Sequence, residues 1–248
     1  MPIELGKPAD YGQFILERRY SLAKSYARDA LARGGFYLDV GCGNGAQTIL
    51  FAKHFNAWMG VDVEPGRLDE FRRELERGEY EVASKPHKIL CYEGERIPLE
   101  DGSVDVLTCI EVIEHTQNDS ATIRELLRVL KPGGTAIITV PNKWWIFETH
   151  GASLPLLPWN RVPFFSWLPK RIHSKYAKAR IYRRSQIESL VCAGGFEIIN
   201  SVYVTAPMDM LKPAILQTLV RKSFFRNDAT SIPFLSTAVM IVATKPNH

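Results

Sequence analysis

Residues 38–45 read LDVGCGNG, an apolar run that ends in a turn carrying Gly41, Gly43 and Gly45. Glycine lets the backbone turn tightly and approach a ligand closely, and the helix that follows would offer unpaired N–H groups to polar or anionic atoms. After a second apolar run comes Asp62, about twenty residues on, where an acid can accept hydrogen bonds from ribose hydroxyls. Strand, glycine turn, helix, strand and acid in this order constrain the chain to a doubly wound α/β arrangement. Gly41, Gly43 and Ala46 also satisfy the dinucleotide pattern G-x-G-x-x-G/A. The turn alone therefore leaves the kind of nucleoside ligand open.

The rest of the chain continues the alternation. Strand-like runs at 36–41, 58–63, 88–93, 104–110 and 134–141 are separated by helical segments, which implies a parallel sheet with helices on both faces. A helix around Ser185 to Ala193 precedes runs at 196–204 and 237–244, the last two strands. Residues 11–33 form one or two helices, with apolar positions near a 3.6 period and Gly34-Gly35 as the stop. Residues 143–182 break the rhythm: Trp159, Phe164, Phe165 and Trp167 sit among prolines, so no regular strand or long helix is expected there. This insertion is expected over the carboxyl edge of the sheet, where open α/β folds bind ligands. The organisation is thus an N-terminal helical lid (1–35), a core (36–142 and 183–248) and an aromatic, basic insertion (143–182).

Composition excludes few classes. At 248 residues, with 46% apolar and 23% charged, the chain can bury a substantial core as a soluble domain. The net charge of +4 names no partner, but Lys170 to Arg184 holds seven Lys/Arg and no Asp/Glu. Four widely spaced cysteines without a CxxC suit a reduced compartment. No apolar leader and no spanning run are visible, so the protein is expected in the cytoplasm, with membrane association open.

Further motifs are EGERIPLEDGSVD (93–105), IEVIEH (110–115) and LLRVLKPGGTAIITVPN (126–142). Together with the glycine turn they resemble the class I S-adenosylmethionine (AdoMet) dependent methyltransferases, over most of residues 36–142. The resemblance implies a Rossmann-like, seven-stranded, mostly parallel sheet with an antiparallel last strand and an insertion after the fifth. It implies cofactor contacts at Asp39, Gly41, Cys42, Gly43, Asp62 and Val63. Glu93 and Gly94 fall at the adenine position and Ile110 with Glu111 at the methionine end, while Arg19 and Tyr11 are lid contacts from the N-terminal helix.

Glu111, Glu114 and His115 stand at i, i+3 and i+4, which on a helix would turn all three to one side. They are the candidate catalytic residues. As an ExxEH they resemble the metal-binding pattern of the ubiquinone-biosynthesis O-methyltransferases and of the small-RNA 3′-terminal 2′-O-methyltransferases. Two carboxylates and an imidazole suit a divalent cation, Mg²⁺ or Mn²⁺ first, with His150 or His173 to complete the set. A Glu-His at this point can equally cap the helix and line the cleft, with His115 as general base.

Aromatics beside Lys/Arg in 151–184 have the composition of a membrane-interface segment, which favours a lipophilic acceptor; with the resemblance, the reading is methyl transfer to a small or lipophilic molecule, at oxygen. The same residues would also serve as a plain lid on the pocket. An RNA 2′-O-methyltransferase is the second reading, ranked below because no RNA-binding module is visible. An NAD-binding oxidoreductase is the third, without a Tyr-x-x-x-Lys or other hydride-transfer constellation. A non-enzymatic AdoMet-binding protein is the fourth.

Overall fold

The computed structural model describes residues 9–78, 80–147, 152–153, 158–159, 163–209, 211 and 214–247. The elements in chain order are α1 (Phe14–Tyr26), α2 (Arg28–Arg33), β1 (Phe36–Val40), α3 (Ala46–Ala52), β2 (Ala57–Asp62), α4 (Pro65–Arg77), β3 (His87–Cys91), β4 (Val104–Ile110), α5 (Asp119–Val129) and β5 (Leu130–Pro141). They continue with β6 (Ala152–Ser153), β7 (Pro158–Trp159), α6 (Lys170–Tyr176), α7 (Arg184–Ala193), β8 (Glu197–Thr205), α8 (Ala214–Lys222), β9 (Ala229–Thr230) and β10 (Ser236–Thr244).

One sheet carries eight strands in the order β3-β2-β1-β4-β5-β10-β8-β9. β3, β2, β1, β4 and β5 are mutually parallel, and β10 runs antiparallel to both β5 and β8. The strand order reverses beside β1, where doubly wound sheets open a ligand crevice. Seven of the eight strands fall where the apolar runs expect them. The eighth is the correction: β9, two residues paired with Tyr203 and Val204, is too short to leave a periodic signal.

Central strands are buried on both faces, as parallel strands between helices must be. Side chains alternate across the sheet, so β1 sends Tyr37 to one core and Leu38 and Val40 to the other. On the first face Tyr37 stacks on Phe55 with ring centroids 5.0 Å apart, and α1 to α4 close over them. Ile15, Tyr20, Leu22 and Ala23 of α1 belong to this same core, so the N-terminal helix is packed into the domain. On the second face Ile123, Leu126 and Val129 of α5 and Ile187 and Val191 of α7 cover the sheet.

Local chemistry fixes the helix starts. Asn118 caps α5 by accepting the Ala121 N–H (3.0 Å), and Pro65 sits at the first turn of α4, where its missing N–H costs nothing. The 96–103 segment is held by Arg128, whose guanidinium donates to the Ile97 and Leu99 carbonyls and pairs with Glu125 and Asp101. That pairing holds the Glu125 carboxyl below its usual range against the opposing effect of burial, and raises the Arg128 guanidinium.

Two excursions leave the sheet. The first, 143–183, holds the β6–β7 pair and α6, which are shorter than regular elements, as its prolines require. The second, 206–235, joins β8 to β10 and holds α8, a helix not assigned in the sequence analysis. β5 and β8 end at the edge where β10 begins, so both excursions emerge at the carboxyl edge of the parallel strands, beside the glycine turn.

Candidate active site

The glycine turn is built by sterics. Gly41, Gly43 and Gly45 take φ of 75°, 54° and 84°, a region that favours glycine. A Cβ on Gly41 would run into Val112 Cγ2, and one on Gly45 into the Phe71 ring. The N–H groups of Gly41 and Cys42 donate to the Val61 carbonyl (2.8 and 3.1 Å), tying the turn to the end of β2. The turn thus packs against the end of β2 and the loop after β4.

The acids of this region do two different jobs. Asp62 is buried, and its carboxylate accepts the N–H of Gly43 (2.8 Å) and of Glu64 (3.0 Å). It therefore organises the turn, while each oxygen keeps a second lone pair for a ligand hydroxyl. Asp39, expected among the cofactor contacts, lies beneath the turn instead. It is 2% exposed and accepts the Thr48 hydroxyl (2.6 Å) and the Thr108 hydroxyl (2.7 Å). Burial pushes its carboxyl up to about 6, with the two hydroxyl bonds opposing the rise. Cys42 is buried, and burial raises its thiol well above the usual range, so its side chain is packing rather than chemistry.

At the neighbouring strand ends, Val63 follows β2 and Glu93 and Gly94 follow β3. Gly94 has φ 85°, and a Cβ there would press on Val63 Cγ1 at 3.2 Å. The pair forms an apolar shelf with the exposed Glu93 carboxylate beside it. From above, the N-terminal segment closes on the turn: the Tyr11 hydroxyl donates to the Asn44 carbonyl (2.5 Å), and Asn44 Nδ2 donates to the Ala9 carbonyl (3.3 Å).

The loop after β4 departs from the expected helix. Ile110 ends the strand, Glu111 takes φ 57°, and only Ile113–His115 forms a single 3₁₀ turn. Glu111, Glu114 and His115 therefore do not share one helix face. Glu111 Oε1 accepts the Thr139 hydroxyl (3.0 Å) and lies 3.2 Å from Arg19 Nη2. Glu114 is fully buried, and burial followed by the nearby Glu111 charge pushes its carboxyl well up. His115 Nε2 stands 3.9 Å from Glu114 Oε1, with the imidazole 8% exposed.

These positions correct the metal reading. Among the described residues no three His, Cys, Asp or Glu side chains converge as a cation requires. Glu114 is fully buried, and the Arg19 guanidinium already stands as charge partner at Glu111. His173 is buried against the Phe165 ring (5.1 Å) in the insertion, and His150 lies outside the described residues.

The floor holds polar atoms that the protein itself leaves unsatisfied. Arg19 Nε and both amide atoms of Gln47, in the first turn of α3, are buried without a hydrogen-bond partner. Buried polar groups are nearly always satisfied, so such atoms suit a polar ligand. A nucleoside with an amino-acid tail fits this set: Asp62 and Glu93 for hydroxyl and amino donors, the Val63–Gly94 shelf for a ring, Arg19 for a carboxylate. Gln47 and Thr139 were not singled out from sequence, since a Gln in a helix and a Thr in a strand carry no motif.

A Rossmann-like crevice with this donor set defines an AdoMet-type site on a class I fold. Residues 38–138 match the family described as a methyltransferase domain. A ubiquinone biosynthesis O-methyltransferase of Coxiella burnetii is 25% identical over 171 residues, covering 68% of this chain and 66% of the relative, just under two thirds of its length. One from Pseudomonas paraeruginosa is 34% identical over 132 residues, or 50% of this chain and 54% of that protein. Among solved structures, a SAM-dependent methyltransferase from Methanosarcina mazei superposes with a TM-score of 0.62 at 14% identity, covering 90% of this chain and 97% of that one. Residues 38–138 thus carry a methyltransferase domain, and the solved neighbours share its fold.

Proposed function

We propose that the protein transfers the methyl group of AdoMet to an oxygen of a small lipophilic acceptor. The observation that carries this reading is the way the aromatic excursion is fastened to the loop after β4. The Arg180 N–H donates to the Glu114 carbonyl (3.1 Å), and its guanidinium donates to the carbonyls of Thr116 and Gln117. In the two excursions Trp167 meets Phe164 and Phe234 edge to face, and Trp144 also meets Phe234. An aromatic wall beside a polar floor suits an acceptor whose hydroxyl enters while its hydrocarbon stays on the rings. Oxygen as the target is supported by the names of the relatives.

AdoMet, when bound, supplies a methyl group activated on a sulfonium carbon. Gly41, Gly43, Asp62, Val63, Glu93 and Gly94 hold the nucleoside, and Arg19 with Ile110 holds the amino-acid end. His115 is the base that takes the acceptor's hydroxyl proton at an imidazole nitrogen, since an imidazole exchanges protons near neutral pH. Positioning supplies much of the remaining acceleration. In the same reading residues 151–184 touch the membrane surface from which the acceptor comes; of these, residues 151, 154–157 and 160–162 lie outside the described set.

The test is transfer from radiolabelled AdoMet to a prenylated catechol and, separately, into lipid, RNA and protein fractions of a cell extract. Label in the catechol and the lipid fraction is expected. Label confined to RNA or protein would overturn the acceptor class.

A further inference from the structure

α8 is mounted with its polar side inward. Gln217 Nε2 donates to the Met208 carbonyl (3.1 Å), and Arg221 donates to the Pro207 carbonyl (2.8 Å) and pairs with Asp209 (2.5 Å). These bonds fix the helix to the 207–209 segment. The opposite side then carries Ile215, Leu216 and Leu219, at i, i+1 and i+4, exposed by 79, 46 and 62%. Phe224, just past the helix, is 80% exposed. Aqueous burial would drive such a helix to turn its apolar face inward, so the observed mounting needs another apolar phase.

Charge indicates which. Residues 214–226 contain Arg221, Lys222 and Arg226 and no acid. Arg221 is spent on Asp209, whereas Lys222 and Arg226 are exposed beside the apolar face. Aliphatic and aromatic side chains flanked by exposed cations match a surface with an apolar interior and an anionic rim. The topology agrees: the 206–235 excursion leaves the same sheet edge as the crevice, and its Phe234 packs on Trp167 of the insertion. We infer that residues 214–226 are a docking element for anionic lipid bilayers, with Ile215, Leu216, Leu219 and Phe224 entering the interface and Lys222 and Arg226 at the headgroups. No helix among the described residues is long and apolar enough to cross a membrane, so the contact lies in the surface plane.

The test uses the full chain with vesicles of phosphatidylcholine alone and of phosphatidylcholine with phosphatidylglycerol, sedimented at low and high salt. The protein is expected to pellet with the anionic vesicles at low salt and to be released by salt. Leu216→Glu with Leu219→Glu should abolish binding, and Lys222→Glu with Arg226→Glu should weaken it about tenfold or more. Ile215→Ser, at the most exposed helix position, should weaken it without touching internal packing, and serves if the double variants melt early. AdoMet titration and thermal melting should be unchanged in Ile215→Ser, which separates this inference from the cofactor reading. Equal pelleting with neutral vesicles, or binding lost through Phe164→Ser and Trp167→Ser but not through α8, would overturn it. So would a concentration-dependent dimer that Ile215→Ser dissociates without any vesicle binding by the parent protein.

Discussion

Asp39 makes the stability of this fold depend on pH in a direction opposite to most surface carboxylates. Its carboxyl titrates at about 6 in the folded chain, against ~3.9 in an unfolded one. Folding therefore favours the protonated form, and the sign follows from linkage. The contribution is fully present below ~3.9, and it is lost as pH rises through about 6. At ~1.4 kcal/mol per unit the full loss is about 3 kcal/mol, roughly half of which falls between pH 5 and pH 8. Asp39→Asn removes the titration and keeps one carbonyl oxygen for Thr48 or Thr108, leaving the other hydroxyl to find a new partner. At pH 5 the largely protonated parent likewise offers one carbonyl oxygen, so the two proteins should there lie within about 1 kcal/mol of each other. Urea unfolding of both proteins across this range should show the variant gaining on the parent by about 1 kcal/mol as pH rises. A difference that stays flat, or that moves against the variant, would refute the reasoning and mean that Asp39 is solvated or ionised in both states.

Arg19→Ala should weaken AdoMet binding about tenfold or more while moving the melting point little, because the guanidinium is placed for the ligand carboxylate as well as for Glu111; calorimetric titration and thermal melting read the two effects separately. Arg18→Ala should cost about 3 kcal/mol or more in chemical unfolding, since this buried guanidinium donates to the carbonyls of Ala206, Phe225 and Asn227 and lies 3.9 Å from Asp228. Gly41→Ala, which sets a methyl against Val112 at φ 75°, should remove cofactor binding in an equilibrium titration. Chelation should leave turnover unchanged, since Glu111 is engaged by Arg19 and Thr139 and Glu114 is fully buried.

The core was legible because its signals are local. The runs at 36–41 and 58–63 became β1 and β2 within a residue, and Gly41, Gly43 and Gly45 hold the positive φ their type suggested. Asp62, expected beside the glycine turn, does lie there and accepts the N–H groups of Gly43 and Glu64. Legibility failed where function depends on which way a short segment winds. IEVIEH has helical spacing, yet Glu111 adopts φ 57° so that its N–H and side chain can both meet Thr139, which breaks the presumed helix. Asp39 reads as a cofactor contact by position, but strand alternation sends it to the buried face with Thr48 and Thr108. α8 does carry a helical pattern in Ile215, Leu216, Leu219 and Val220, but periodicity marks an amphipathic helix without telling which side faces the domain, and here the apolar side faces outward.

Side-by-side calorimetric titration of the full chain with AdoMet and with NAD tests the central assignment most directly. The account expects one AdoMet bound per chain, no heat from NAD, and loss of the AdoMet signal in Gly41→Ala. Binding of NAD in place of AdoMet would contradict it, and so would AdoMet binding that Gly41→Ala leaves intact.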